Sequence, residues 1–335
     1  MDDKLRKYIL SALILILIVS VVFIYKDKFF TEGEKIFKIG IIVDQDVQIP
    51  NAEGFKNKMA ELGYIEGKNI AYIFKNPQSK QDLRDKYLEE IINSKPDLIV
   101  AASTIIATNL KKKNLDTPVI FMDVGTLSGV IENPLVPESN ITGVYGGFVD
   151  FTGKRLELLK TIEPNIKKVI ISPEKNFPSY KDFMGSLKEA SGRLNIEVVE
   201  IPTNDAKDFI SRLPEIVNKK NGDAFLYFTG PNNTPVDQLD KKKIVDQLIK
   251  EKLPAINHNM EVGANIGVLA SYGNYRSEIG EEAALLADQI IKGALVKNVP
   301  VVLIKTLSLE LNLKTAQKIG VSISKPILDR ANKIY

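Results

Sequence analysis

The chain contains no cysteine and a single histidine, His258, in 335 residues. The first absence excludes a disulfide framework, a thiol nucleophile, a thiolate metal site and a lipid carried on a cysteine. The second leaves a Ser-His-Asp triad one candidate base, and no G-x-S-x-G elbow accompanies it. No catalytic residue, metal site or cofactor is therefore expected. Excess charge is small too: 45 basic against 42 acidic residues give a net charge of +3, spread along the chain without a basic block, so nucleic acid is not an expected partner. The short run Lys241–Lys243 falls in a helical pattern and reads as a solvated face. No repeat of about 20–50 residues is visible, which excludes a solenoid.

Against these absences stands one long apolar run. Tyr8 to Tyr25 are eighteen residues without a charge, followed at once by Lys26, Asp27 and Lys28. As a helix the run would be about 27 Å long, close to the ~30 Å core of a bilayer. The expectation is a transmembrane anchor, with 1–7 a cytoplasmic stub, 26–35 a tether, and the rest outside the membrane. A cleaved signal peptide, giving a secreted protein, is the alternative. The run is longer than the usual ~7–15 apolar residues and lacks a small-residue cleavage site, which favours the anchor. Lys4, Arg6 and Lys7 are balanced by Lys26, Lys28, Lys35 and Lys38, so charge alone does not orient it.

The roughly 300 residues that follow exceed what one core usually organises, so two lobes are expected. Lys38–Val43 reads as a strand buried on both faces, followed by a helix over Asn51–Leu62. The alternation continues with strands at Ile70–Phe74, Asp97–Ala102 and Pro118–Met122, and with a helix over Ser103–Lys112. A second series starts after Gly143: helices over Thr152–Ile162, Tyr180–Leu194, Asp205–Val217 and Val236–Glu251 separate strands at Lys168–Ile171, Ile196–Ile201 and Ala224–Phe228. Short strands at Ala255–Ile256 and Ile266–Ala270 complete it, and a strong amphipathic helix over Ser277–Lys292 stands apart. The pattern predicts an α/β fold of two doubly wound parallel-sheet lobes. Ligands of such sheets bind beyond the carboxyl ends of the strands, here in a cleft between two lobes.

Several stretches resemble the extracytoplasmic solute-binding proteins of ABC importers, in the group that includes tryptophan- and tyrosine-type binding components. They are Gly54-Phe55, Glu61–Asn69 (ELGYIEGKN), Lys95–Ala101 (KPDLIVA), Asn140–Val144 (NITGV), Arg155–Lys160 (RLELLK), Leu309–Ala316 (LELNLKTA) and Leu328–Ile334 (LDRANKI). The resemblance implies the type I periplasmic-binding-protein fold, whose chain crosses between lobes three times. Carried onto this sequence, lobe 1 is 36–142 plus 274–297 and lobe 2 is 145–271 plus 298–335. It further implies a monomer that captures a small solute, with an amino acid, an aromatic one included, as the candidate, and delivers it to an ABC permease. A membrane-tethered sensor that reports occupancy to a partner protein is the alternative.

The strand-end loops supply the candidate ligand residues. Ser103 and Thr104 open a helix whose free N–H groups suit a carboxylate, or else they simply cap it. Asp44, with Gln45 and Asp46, follows the first strand, where an acid meets a ligand ammonium or stays solvated. Asp123 and Gly125 lie in the loop matching the family's cleft. From lobe 2 come Asn176 and Ser179, then Asn232 and Asn233, and then Glu261 with Asn257 and His258. Tyr145, Tyr272 and Tyr275 lie near the crossings and offer rings for stacking or packing. Two departures bear on specificity: Thr126-Leu127 stands where many relatives have Asp-Pro, and Asn232-Asn233 where many have Asp-Asn.

Overall fold

The computed structural model describes residues 20, 35–137, 139–230, 233 and 237–335. The run Tyr8–Tyr25 therefore lies, apart from Ser20, outside the described residues, as do Pro231 and Asn232. Among the described residues no helix is long and apolar enough to cross a membrane.

Strand and helix alternate from β1 (Phe37–Val43) through α1 (Ile49–Glu61), β2 (Ile70–Lys75), α2 (Gln81–Asn93), β3 (Leu98–Ala102), α3 (Thr104–Lys113) and β4 (Val119–Met122) to β5 (Ile141–Tyr145). The second series comprises α4 (Thr152–Ile162), β6 (Lys168–Ile171), α5 (Tyr180–Leu194), β7 (Glu197–Glu200), α6 (Ala206–Ser211), α7 (Leu213–Ile216), β8 (Ala224–Leu226), α8 (Gln238–Lys250), β9 (Ala255–Asn257) and β10 (Ala270–Gly273). The chain ends with α9 (Arg276–Ile291), β11 (Val302–Leu303), β12 (Ser308–Leu311), α10 (Leu313–Ile319), α11 (Lys325–Leu328) and β13 (Lys333–Ile334).

Two sheets result, ordered β11-β5-β4-β3-β1-β2 and β13-β12-β10-β9-β8-β6-β7. Every pairing is parallel except β10 with β12. Parallel strands are covered on both faces, and β1, β3 and β4 accordingly read as unbroken buried apolar runs. Each sheet is sandwiched between two apolar clusters, built around Phe55 and Phe121 in the first lobe and around Phe183 and Phe225 in the second. The chain passes between sheets after β5, after β10 and after β11, and this α/β arrangement is the type I periplasmic-binding-protein fold.

Details differ from the sequence reading for local reasons. Val144 and Tyr145 belong to the first sheet, because β5 runs on beside β4 with Phe121 opposite Gly143. A Cβ on Gly143 would lie 2.5 Å from the Phe121 ring, so only glycine permits that approach. Val302 and Leu303 also pair with β5, placing the third crossing after 303 rather than near 298. The helix expected over Asp205–Val217 is two short ones, because Pro214 has no N–H to continue the first. The strand expected at Ile266–Ala270 is displaced to β10, since Gly267 takes a left-handed φ of 115° after a 3₁₀ turn.

Candidate ligand-binding site

The carboxyl ends of both sheets face one cavity of about 610 Å³ of atom-free space, its open mouth included. Asp44, Gln45, Gln48, Ser103, Thr104, Ile105, Asp123, Gly125 and Arg276 line it from lobe 1, with Val47. Phe148, from the first crossing, and Phe177, Thr229, Gly230 and His258 of lobe 2 complete the wall.

Ser103 and Thr104 serve α3 in two ways. Ser103 Oγ caps the helix by accepting from the Ile106 N–H at 3.3 Å, while its backbone sits at φ 115°, a conformation side chains rarely adopt. Such strain is stored preferentially at ligand sites. Thr104 Oγ1 accepts the Gly125 N–H at 2.9 Å, tying the β4 loop to the helix start. The first N–H groups of α3 thus open on the cavity, where the helix dipole favours an anion.

Two acids reach the cavity, and both are already engaged. Arg84 of α2 grips Asp44, Nε to Oδ1 at 2.8 Å and Nη2 to Oδ2 at 3.2 Å, with both side chains 6% exposed. Asp44 therefore stands in the wall without being free for a ligand ammonium. Gln48 links the acids: its Oε1 accepts the Asp44 N–H, and its Nε2 donates to Asp123 Oδ2, both at 2.8 Å. Asp123, in left-handed backbone at φ 53°, faces Arg276, the first residue of α9, whose Nε lies 3.2 Å from Oδ1. Burial pushes the Asp123 carboxyl above the usual carboxylate range, against the pull of Arg276 and Gln48. Its Oδ1 accepts no well-aligned hydrogen bond and so retains acceptor capacity.

Glu261 secures the other side of Arg276. Its carboxylate accepts from Arg276 Nη1 at 2.9 Å and from the Arg276 backbone N–H at 2.8 Å, which caps α9. The guanidinium stacks over the Phe148 ring, 5.5 Å from its centroid. Asp44 is thus paired with Arg84, and Asp123 and Glu261 share Arg276.

The remaining expected residues fall elsewhere. Asn176 is exposed and outside the cavity; its neighbour Phe177 points in instead. Ser179 is buried where the lobes meet: a Cβ on Gly125 would sit 3.3 Å from its Cβ. Beside that contact Thr126 Oγ1 donates to Asp182 Oδ2 of α5 at 2.5 Å, so the threonine that departs from the family pattern bridges the lobes. Asn233 is buried in a turn, its Oδ1 accepting the Phe228 N–H at 3.1 Å. Asn257 Nδ2 donates to the Val262 carbonyl at 3.0 Å and shapes the following loop. Tyr145, Tyr272 and Tyr275 are absent from the wall; the rings in the cavity are Phe148 and Phe177. Sequence reading missed Arg276, Gln48, Arg84, Phe148, Phe177 and Thr229. The available signal was an arginine one residue before the strong helix at 277.

His258 is almost wholly buried beside the Phe148 ring, 6.0 Å away and edge-on. Burial first, then the guanidinium groups of Arg155 and Arg276, hold its pKa well below the usual histidine value. The sign follows: with the folded pKa depressed, the contribution is complete above the unfolded pKa of about 6.5 and is lost as pH falls. Between pH 6.5 and the folded pKa, stability should decline by about 1.4 kcal/mol per pH unit from this group. Urea unfolding of the wild type and His258→Gln at pH 7 and pH 5.5 checks this. Parallel profiles for the two proteins would refute it.

Two facing lobes with polar strand-end loops around a shared cavity define a bilobal ligand-capture protein. The chain also matches the family model for ABC transporter substrate binding proteins over residues 37–335, and it belongs to that family. A tyrosine-binding protein from Clostridioides difficile is 26% identical over 301 residues, covering 87% of this chain and 83% of that one. Among solved structures, an ABC domain in complex with L-Trp from Streptococcus pneumonia has a TM-score of 0.78 at 21% identity, covering 90% of this chain and 100% of that one. A ligand-free, open substrate binding protein with adhesive properties from Clostridium difficile has a TM-score of 0.65 at 22% identity, covering 89% and 99%.

Proposed function

We propose that the protein is the extracytoplasmic receptor of an ABC importer and that its cleft captures an aromatic amino acid for delivery to a membrane permease. The family match across nearly all described residues carries the reading. The cavity's chemistry supports it: the α3 N-terminus takes the ligand carboxylate, and the Asp123 carboxyl in the wall takes the ammonium. Phe148 and Phe177 flank the side chain. Asp44, committed to Arg84, holds the floor of the site rather than the ligand. The apolar run Tyr8–Tyr25 then serves as the anchor that keeps the receptor beside its permease, in place of a lipid.

A thermal-shift screen of the full chain against the common amino acids, nucleosides and small organic acids tests the reading. Aromatic amino acids should raise Tm with a concentration dependence set by mass action. No shift with any amino acid, or a shift confined to nucleosides or sugars, would overturn it.

A further inference from the structure

The two walls of the cavity touch where the loop after β4 meets the start of α5. Gly125 lines the cavity from lobe 1 and Phe177 lines it from lobe 2. Beside them Gly125 approaches Ser179 so closely that a Cβ on the glycine would lie 3.3 Å from the serine Cβ and 3.4 Å from its Oγ. Widening the cavity on this side parts that contact.

One direct bond fastens the two loops. Thr126 is 6% exposed, and its Oγ1 accepts the Ser128 N–H at 3.1 Å. A carboxylate only accepts, so the hydroxyl proton goes to Asp182 Oδ2, 2.5 Å away on the other lobe. The loop that carries Thr126 is itself anchored, because the Gly125 N–H donates to Thr104 Oγ1 at 2.9 Å. Asp182 stands in the first turn of α5, where the positive end of the helix dipole favours its charge. Each lobe therefore holds its own partner in place before the two meet. A hydrogen bond to an ionised acceptor is also stronger than one between neutral groups.

The same contact carries an opposing element. Ser179 is 0% exposed, and its Oγ has no hydrogen-bond partner among the described residues. It precedes α5 without capping it through the side chain. A buried hydroxyl left unpaired is destabilising, and parting the loops would return it to water. One hydroxyl at the contact favours closure and the other opposes it.

We propose that this contact is a balanced latch: Thr126 and Asp182 hold the lobes together without help from a ligand, and the unpaired Ser179 hydroxyl keeps the closed form from locking. The inference goes beyond the function proposed above and holds whichever solute enters, because none of the three side chains lines the cavity. A solute then enters through openings of a largely closed receptor, and these residues set how often the openings occur.

The absence of cysteine makes the separation of the lobes directly measurable. Spin labels on Lys112→Cys of α3 and Lys188→Cys of α5, both exposed positions, report it by pulsed electron paramagnetic resonance on the full chain with no ligand added. The labelled protein should be mainly in the closed form, at the lobe separation of this structure. Thr126→Val, which replaces the hydroxyl with a methyl group, should lower the closed-to-open ratio about fivefold or more, and Thr126→Ser should retain it. Asp182→Ala, at an exposed position that leaves the core intact, should have the same effect, with no further loss in the double variant. Ser179→Ala should move the ratio about threefold or more toward the closed form. A wholly open protein, unchanged distances in Thr126→Val and Asp182→Ala, or additive losses in the double variant would overturn the latch. An unchanged or lowered ratio in Ser179→Ala would overturn its opposing half. Because no ligand takes part, none of these results bears on the amino-acid reading.

Discussion

Arg276→Ala is expected to destabilise the protein by about 3–5 kcal/mol and to weaken L-tyrosine binding by roughly 100-fold or more. The guanidinium is the only described cation that touches both Asp123 and Glu261, and it is itself almost wholly buried. Removing it leaves the Asp123 carboxylate in a site where burial already disfavours its charge. It also removes the cation stacked on Phe148, so a ring of the wall loses its support. Glu261 would still cap α9 through the backbone N–H, so the helix should persist while the cleft collapses. Urea unfolding and calorimetry read the two effects separately. The double variant Arg276→Ala/Asp123→Asn should recover part of the lost stability, because the unpaired charge is gone. A single variant within about 0.5 kcal/mol of wild type would show that the ion triad does not hold the site.

The second large effect lies behind the cleft. Helices α1 and α9 pack closely through two glycines. A Cβ on Gly280 would lie 1.9 Å from the Asn51 carbonyl oxygen, and one on Gly54 would lie 2.1 Å from the Ser277 carbonyl oxygen. Both obstacles are backbone, which cannot rotate aside as a side chain would. The contact matters to the site because Asn51 Nδ2 donates to the Arg276 carbonyl at 3.0 Å, fixing the start of α9. Gly280→Ala should therefore cost about 3 kcal/mol or more, lowering Tm by about 6 °C or more for a chain this long. Gly185→Ala is the control. No heavy atom lies within 4 Å of its Cβ position in α5, and relief of glycine's entropy cost should stabilise by about 0.5–1 kcal/mol. Equal Tm values for the two variants would refute the close-packing account.

Much of the scaffold was legible because its determinants are local. β6 and α5 lie where the apolar pattern put them, at Lys168–Ile171 and Tyr180–Leu194, and β1 begins one residue earlier than read. Strands buried on both faces announce themselves as unbroken apolar runs, and helices by their spacing. The family resemblance then supplied the three crossings that no local pattern encodes. Boundaries failed where one backbone property overrode the pattern, as at Pro214 and Gly267. The site was legible only as a set of loops. Ser103, Thr104, Asp123 and Gly125 line the cavity, yet the partners that define their chemistry come from distant segments. Arg84 meets Asp44 across forty positions and Arg276 meets Asp123 across 153. Nothing in the local sequence distinguishes an acid locked to a distant arginine from one free to hold an ammonium. Asn176 and Phe177 show the same limit at the smallest scale: the polar residue was expected in the cleft, but the adjacent ring faces in.

A crystal structure of the protein grown with L-tyrosine tests the central claim most directly. The amino acid should lie between the lobes, its carboxylate at the N–H groups that open α3, its ammonium beside Asp123 and its ring between Phe148 and Phe177. An empty cleft at saturating tyrosine, or a ligand held outside the interlobe cavity, would contradict the account.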